Sequence, residues 1–294
     1  MKRILYLMLP ALVLISCSDS KPKENKAEAS NEASWSLSEI WRTDTLMSTC
    51  ESVLHNPEQD LLYVSCINGV PSEKNGKGFI ARLNVDGSIN ELHWASGLDA
   101  PKGMGLHEGK LWVTDIDRLV VIDLENPESR EFIPVEGTSF LNDISIDEDG
   151  TVYFTCSDSG RLMRFSGGNI TDLISEGLKR PNGVFVEKDR LLMSCSGSAE
   201  LMEVDKNTGE HRILVNEIGN GDGVEHTGTS GHYLVSSWKG EVFIIMPDYS
   251  KQSLLKTSDQ QINSADLGFN LKKQVVYVPT FFDNRVVAYQ LSKN

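Results

Sequence analysis

The chain has five cysteines in 294 residues and no Cys-x-x-Cys pair, so it offers no thiol-ligated zinc site. It has no Gly-x-Ser-x-Gly phrase, which removes the nucleophile elbow of that class of hydrolases. Its glycine-rich run Gly219–Gly223 leads into a strand-like segment and not a helix, so it is not a phosphate loop. Positive charge is scarce. Forty-two acidic residues face 28 basic ones for a formal net charge of −14, which excludes nucleic acid and anionic lipid as partners of the body. Beyond residue 16, no apolar run is long enough to cross a bilayer.

The first sixteen residues are a separate matter. A basic start, Met1-Lys2-Arg3, precedes the apolar ILYLMLPALVLIS, too short to span as a mature helix. The run ends at Leu14-Ile15-Ser16-Cys17, which resembles a bacterial lipoprotein signal. That resemblance implies cleavage before Cys17, lipid on its sulfur and residence in the cell envelope, at the periplasmic face or cell surface. Residues 17–34 are polar and charged and cannot bury a core, so they read as a flexible tether. The lipid is the only membrane attachment expected. Residues 35–294 then form one domain, with no sign of a second and no feature requiring an oligomer.

That domain is repetitive. Leu141-Asn142-Asp143-Ile144, Pro181-Asn182-Gly183-Val184 and Gly221-Asp222-Gly223-Val224 begin at intervals of forty, each followed by two short strand-like runs separated by turns. Related copies begin at Cys50, Pro101 and Ser264. Six copies of a period near forty, built from short strands, predict an all-β, six-bladed β-propeller. The extra length of the first copy is the polar insertion VPSEKNGKG, read as a loop within blade one. The sixth copy has room for only three strands before Asn294, which would leave an open ring. The segment Trp35–Thr45, carrying Trp35, Leu37, Ile40 and Trp41, is expected to supply the missing outer strand and close the last blade.

Equivalent positions on successive blades converge on one axis. The repeat therefore superposes Glu51, Lys102, Asn142, Asn182, Asp222 and Ala265 as a ring at one mouth of the channel. Two carboxylates and two amide oxygens at one level suit a hard divalent cation, calcium before zinc because no sulfur or imidazole is offered. Without a cation, Glu51 and Asp222 would repel one another. Lys102, three blades from Asp222, either snorkels to solvent or points inward, where it pairs with a carboxylate or holds an acidic substrate. Cys66, Cys156 and Cys195 share one repeat position and read as small buried residues, while Cys50 is unmatched. An exported compartment permits a disulfide, but spacing chooses no pairing. His107, His226 and His232 fall outside the ring's register and read as core or surface residues.

The phrases CESVLHNPEQDLLYVS, FLNDISIDEDGTVYF, RPNGVFVEKDRLLMS and GDGVEHTGTSGHYLVS resemble those of the senescence marker protein, regucalcin and gluconolactonase family of six-bladed propellers. The resemblance runs from about residue 45 to residue 290. It implies that Glu51, Asn182 and Asp222 hold one divalent cation, that Asn142 lines the substrate pocket and that Asp222 serves as base. Two positions depart from the pattern. Where sugar lactonases of the family carry a substrate-contacting arginine, this chain has Phe140, and Lys102 stands in the ring, so sugar specificity does not transfer. Two readings follow. One is a metal-dependent hydrolase of a lactone or related cyclic ester. The other is a non-catalytic propeller that binds a small ligand or partner protein at its channel.

Overall fold

The structure, a computed structural model, describes residues 34–294. Cys17, the leader 1–16 and tether residues 17–33 lie outside the described residues. Six sheets of four antiparallel strands are present, one for each repeat. Blade one comprises Cys50–Asn56, Leu61–Cys66, Gly78–Asn84 and Ile89–Leu98, with the polar insertion between its second and third strands. Among the described residues the single helix is one 3₁₀ turn, Ser258–Gln260, and no helix is long and apolar enough to cross a membrane.

The last blade closes as its strand deficit required. Trp35–Arg42 pairs antiparallel with the final strand, Val286–Lys293, from Trp35 opposite Lys293 to Arg42 opposite Val287. The strand ends three residues earlier than expected from sequence. Its apolar residues bind it to both neighbours. Trp35 and Leu37 pack with Leu234 and Val242 of blade five, and Trp41 Nε1 donates to the Val85 carbonyl of blade one at 3.1 Å. The Gln252 amide exchanges two hydrogen bonds with the Trp35 backbone, at 3.1 and 2.8 Å.

The core lies between blades. Strands alternate their side chains to the two faces, so each blade presents one apolar face to each neighbour. Tyr63, Ile80 and Trp94 of blade one, for example, pack against Met104, Val113 and Val120 of blade two. The repeated cysteines are buried as expected, and Cys50, Cys66, Cys156 and Cys195 are all free thiols.

Two local devices fix the ring. In blades two to five the register shifts across the first residues of the innermost strand, at Pro101/Met104, Leu141/Ile144, Pro181/Val184 and Gly221/Val224. The ring residue therefore leaves the ladder, and the irregularity re-aims its side chain, as bulges beside functional sites do. The freed backbone groups are taken up by a buried hydroxyl on the second strand. Ser65, Thr155 and Ser194 accept the N–H groups of Ser52, Asp143 and Gly183 at 3.0, 3.1 and 3.1 Å. Hydroxyls at this position also reach across to the next blade, Thr155 and Ser194 playing both parts. Thr155 donates to the Asn182 carbonyl at 2.7 Å, Ser194 to that of Asp222 and Ser236 to that of Ala265. Thr114 donates to the Asn142 carbonyl. Glycine follows the ring residue in blade four because a Cβ at Gly183 would collide with the Asp222 carbonyl.

Replacing Thr155 with Val keeps the side chain's shape but orphans the Asn182 carbonyl and the Asp143 N–H. Each buried group left unpaired costs about 1–3 kcal/mol. Urea unfolding should show Thr155→Val losing stability on that scale while Thr155→Ser stays near the parent; an unchanged Val variant would contradict the role given to the hydroxyl.

Candidate functional site

The bulged starts of the innermost strands bring Glu51, Lys102, Asn142, Asn182 and Asp222 to one cavity of about 410 Å³ at the upper mouth of the channel. All five are buried. Ala265, the sixth ring residue, does not line it and packs in an apolar cluster with Ile67 and Phe281. Glu51 Oε2, Asn182 Oδ1 and Asp222 Oδ1 are each buried with no hydrogen-bond partner. Orphaned buried oxygens are rare and costly. Here they fall on three residues of one ring level, one neutral and two acidic, which is the donor set a hard cation satisfies. Among the described residues no group of three or more His, Cys, Asp or Glu side chains is placed to hold a metal ion; this set is two carboxylates and one amide.

Asn142 is held differently. Its Nδ2 donates to Ser157 Oγ at 3.1 Å, and Ser157 in turn donates to the Pro181 carbonyl. Its amide is thereby oriented within the cavity wall. Lys102 does not snorkel. It is 1% exposed, donates to the Ala100 carbonyl at 3.1 Å and sits 4.5 Å from the Phe140 ring centroid. The two residues that depart from the sugar-lactonase pattern are thus one packed pair. Arg180, which the repeat did not flag, lies 5.9 Å from the same ring. Across the mouth stand Trp238, Phe281 and Phe282, also unflagged, in mutual edge-to-face contact at 5.4, 6.0 and 4.7 Å.

A second acidic level lies below. The residues after the ring positions include Asp143 and Asp266, and with Glu225 they line a cavity of about 380 Å³ at the opposite end of the channel. Asp143 accepts from the Ile144 and Val184 N–H groups, both at 2.7 Å, and Asp266 accepts from Ser52 Oγ at 2.5 Å. Gly103 and Gly223 make room for these carboxylates, since a Cβ at either would strike them. Shifting the repeat alignment by one residue would have found both. His226 is not in the channel wall; it packs between Phe185 and Tyr233.

Burial raises every one of these carboxyls. Glu51 is pushed up to about 8, with Asp266 adding and Lys102 opposing. Asp222 is held well above the usual carboxylate range by burial and then by Glu51, Asp266 and Asp143. Asp143 is likewise well raised by burial and then Asp266. Burial takes Asp266 to about 7 against the Ser52 hydroxyl, and takes Glu225 to about 8 with help from Asp266. Burial also lowers Lys102 to about 8, although Glu51 and Asp115 favour its charged form.

No protein-family model and no curated sequence matches the chain. Solved structures do resemble it. A gluconolactonase from Xanthomonas campestris superposes with a TM-score of 0.65 at 17% identity, over 83% of this chain and 86% of that one. A catalytically inactive histidine-to-alanine variant of virginiamycin B lyase from Staphylococcus aureus, with quinupristin, gives 0.60 at 13%, over 88% and 99%. A chain of the nidogen/laminin complex gives 0.61 at 16%, over 74% and 84%. The propeller fold is therefore shared with gluconolactonases, as the sequence phrases implied, and at these identities the likeness extends to the fold alone.

The raised carboxyls set a pH dependence. A carboxyl lifted above its unfolded value of about 4 binds more protons folded than unfolded, so stability falls as pH rises through its folded value. His55, lowered by burial, opposes this as one group against five, and Lys102 acts in the opposite sense only above about pH 8. In chelator, the thermal midpoint should fall between pH 5 and pH 8. Calcium at pH 8 should recover much of the loss, because a cation favours the ionised forms of Glu51 and Asp222. A midpoint that climbs over this range in chelator would contradict the assignment.

Proposed function

We propose that the upper mouth is the active site of a divalent-cation-dependent hydrolase acting on a lactone or related cyclic ester. The observation that carries the reading is the set of three orphaned oxygens on Glu51, Asn182 and Asp222 in one cavity with Asn142. These three residues would hold the cation, calcium by the chemistry of the donors. When bound, such an ion polarises an ester carbonyl and lowers the cost of ionising nearby groups.

The chain's own residues supply the rest. Asp222 is the one ring carboxylate followed by glycine, at the bulged start of its strand, so no following side chain crowds it. As base it takes a proton from a water whose oxygen adds to the ester carbon. The ring C–O bond then breaks, and the proton passes to the departing alkoxide, giving a hydroxy acid. Asn142, fixed by Ser157, orients the substrate. Phe140, Trp238 and Phe281 give the cavity an apolar lining, and water displaced by a bound substrate would strengthen each of these electrostatic contacts. A lipid on Cys17 would tether the enzyme to the envelope.

A second reading is a binding propeller without turnover. The exposed rim favours it, since Phe282, which lines the mouth, stands 62% exposed. The lyase chemistry of one structural neighbour is less well matched. A histidine-to-alanine change inactivates that protein, and no histidine lines the upper cavity here.

A panel of lactones assayed by acid release with calcium separates these readings. Turnover is expected to vanish in chelator and in Asp222→Ala. Asn142→Ala should lose roughly 10²-fold in kcat, on the scale of removing one transition-state donor, with calcium affinity kept. Binding of panel compounds without turnover in the calcium-loaded protein would favour the binding propeller.

A further inference from the structure

The upper cavity is two-sided in a way that the cation and the base do not explain. On the side of blades two to four, Lys102 and Arg180 flank the Phe140 ring. Neither cation joins an ion pair among the described residues, although fourteen Lys or Arg pairs form elsewhere, from Arg42–Glu39 to Arg285–Asp283. The Lys102 ammonium has three N–H donors and its one hydrogen bond to protein goes to the Ala100 carbonyl. It is buried and lines the cavity. Burying an ammonium without a partner is costly. The carboxylate whose charge favours it most is Glu51.

A divalent cation on Glu51 and Asp222 would cancel both carboxylates. Lys102 would then keep only the field of Asp115, which is already paired with Arg118, and Arg180 would have no ion pair, so an anion is the species that restores the balance. The opposite side, from blades five and six, is the aromatic wall of Trp238, Phe281 and Phe282. Resting on the proposed hydrolase reading, we infer that the substrate carries a carboxylate beside its ester, held by Lys102 and Arg180, and an apolar group laid against Trp238 and Phe282. Cation and anion then bind cooperatively, each relieving the charge the other leaves, and the coupling is reciprocal.

Phenylacetate and its neutral isostere phenylacetamide probe this without turnover. Ligand-observed NMR and calorimetry on the calcium-loaded protein should show phenylacetate binding about tenfold tighter or more, the scale of a charge-assisted hydrogen bond. Phenylacetate should also raise calcium affinity. Lys102→Met should erase the preference while phenylacetamide binding persists. The exposed Arg180→Gln, which leaves the buried lysine in place, should reduce it part-way. Equal affinity for the two probes, failure of phenylacetate to bind, or a preference unchanged in both variants would overturn the inference. The hydrolase reading fails separately: an anion preference that depends on Lys102 in a protein with no turnover on any lactone leaves the anion site standing as that of a binding propeller.

Discussion

A buried hydroxyl near the end of the second strand in blades one to five links the fold to the site. The bulge that turns Asn142, Asn182 and Asp222 into the channel also takes backbone groups out of the ladder, and buried backbone groups left unpaired are costly. Thr155 and Ser194 resolve this by accepting an N–H of their own blade and donating to the ring carbonyl of the next. The same atoms thus hold the bulge open, join adjacent blades and set the height of the ring. Ser157 extends the pattern by fixing the Asn142 amide against the Pro181 carbonyl. The site is held by strands and hydroxyls, not loops, as a preorganised centre requires.

What those contacts hold in place is electrostatically strained. Glu51 and Asp222 are buried near one another, above two more buried acids, Asp143 and Asp266, and burial penalises the charge on each. Proton uptake is one way to relieve this, and a cation at the upper ring is the other. The orphaned oxygens mark the upper ring as the place where a cation gains most. The lower acids are already satisfied in part: both Asp143 oxygens accept backbone N–H groups, and Asp266 takes the Ser52 hydroxyl. This difference in hydrogen bonding separates the two levels, although both are acidic.

Much of this was legible in the chain. The forty-residue period sets the blade number, and the one strand missing from the last copy locates the closing strand at Trp35. The ring residues were found because their side chains recur in register. The second strand's hydroxyl recurs as well, in YVSC, WVTD, YFTC and LMSC, but in three of these it stands beside a cysteine, and nothing local marks a serine or threonine as a link between blades. Asp143 and Asp266 escaped notice because they alternate with Gly103 and Gly223, so the position does not look acidic until blades are superposed. Arg180 holds the repeat position of Phe140 and Asn220, and Trp238 that of Ser157 and Ser196, but the residue type changes from blade to blade, so no recurring side chain marks either. Whether Lys102 pointed inward depended on packing against Phe140, a contact between different blades that no local pattern encodes.

The proposed chemistry depends on one divalent cation held by Glu51, Asn182 and Asp222. Crystals of the protein grown with calcium test it directly. The expected result is one calcium within about 2.3–2.6 Å of Glu51 Oε2, Asn182 Oδ1 and Asp222 Oδ1, the range for oxygen ligands. Ordered water alone among those three oxygens would contradict it.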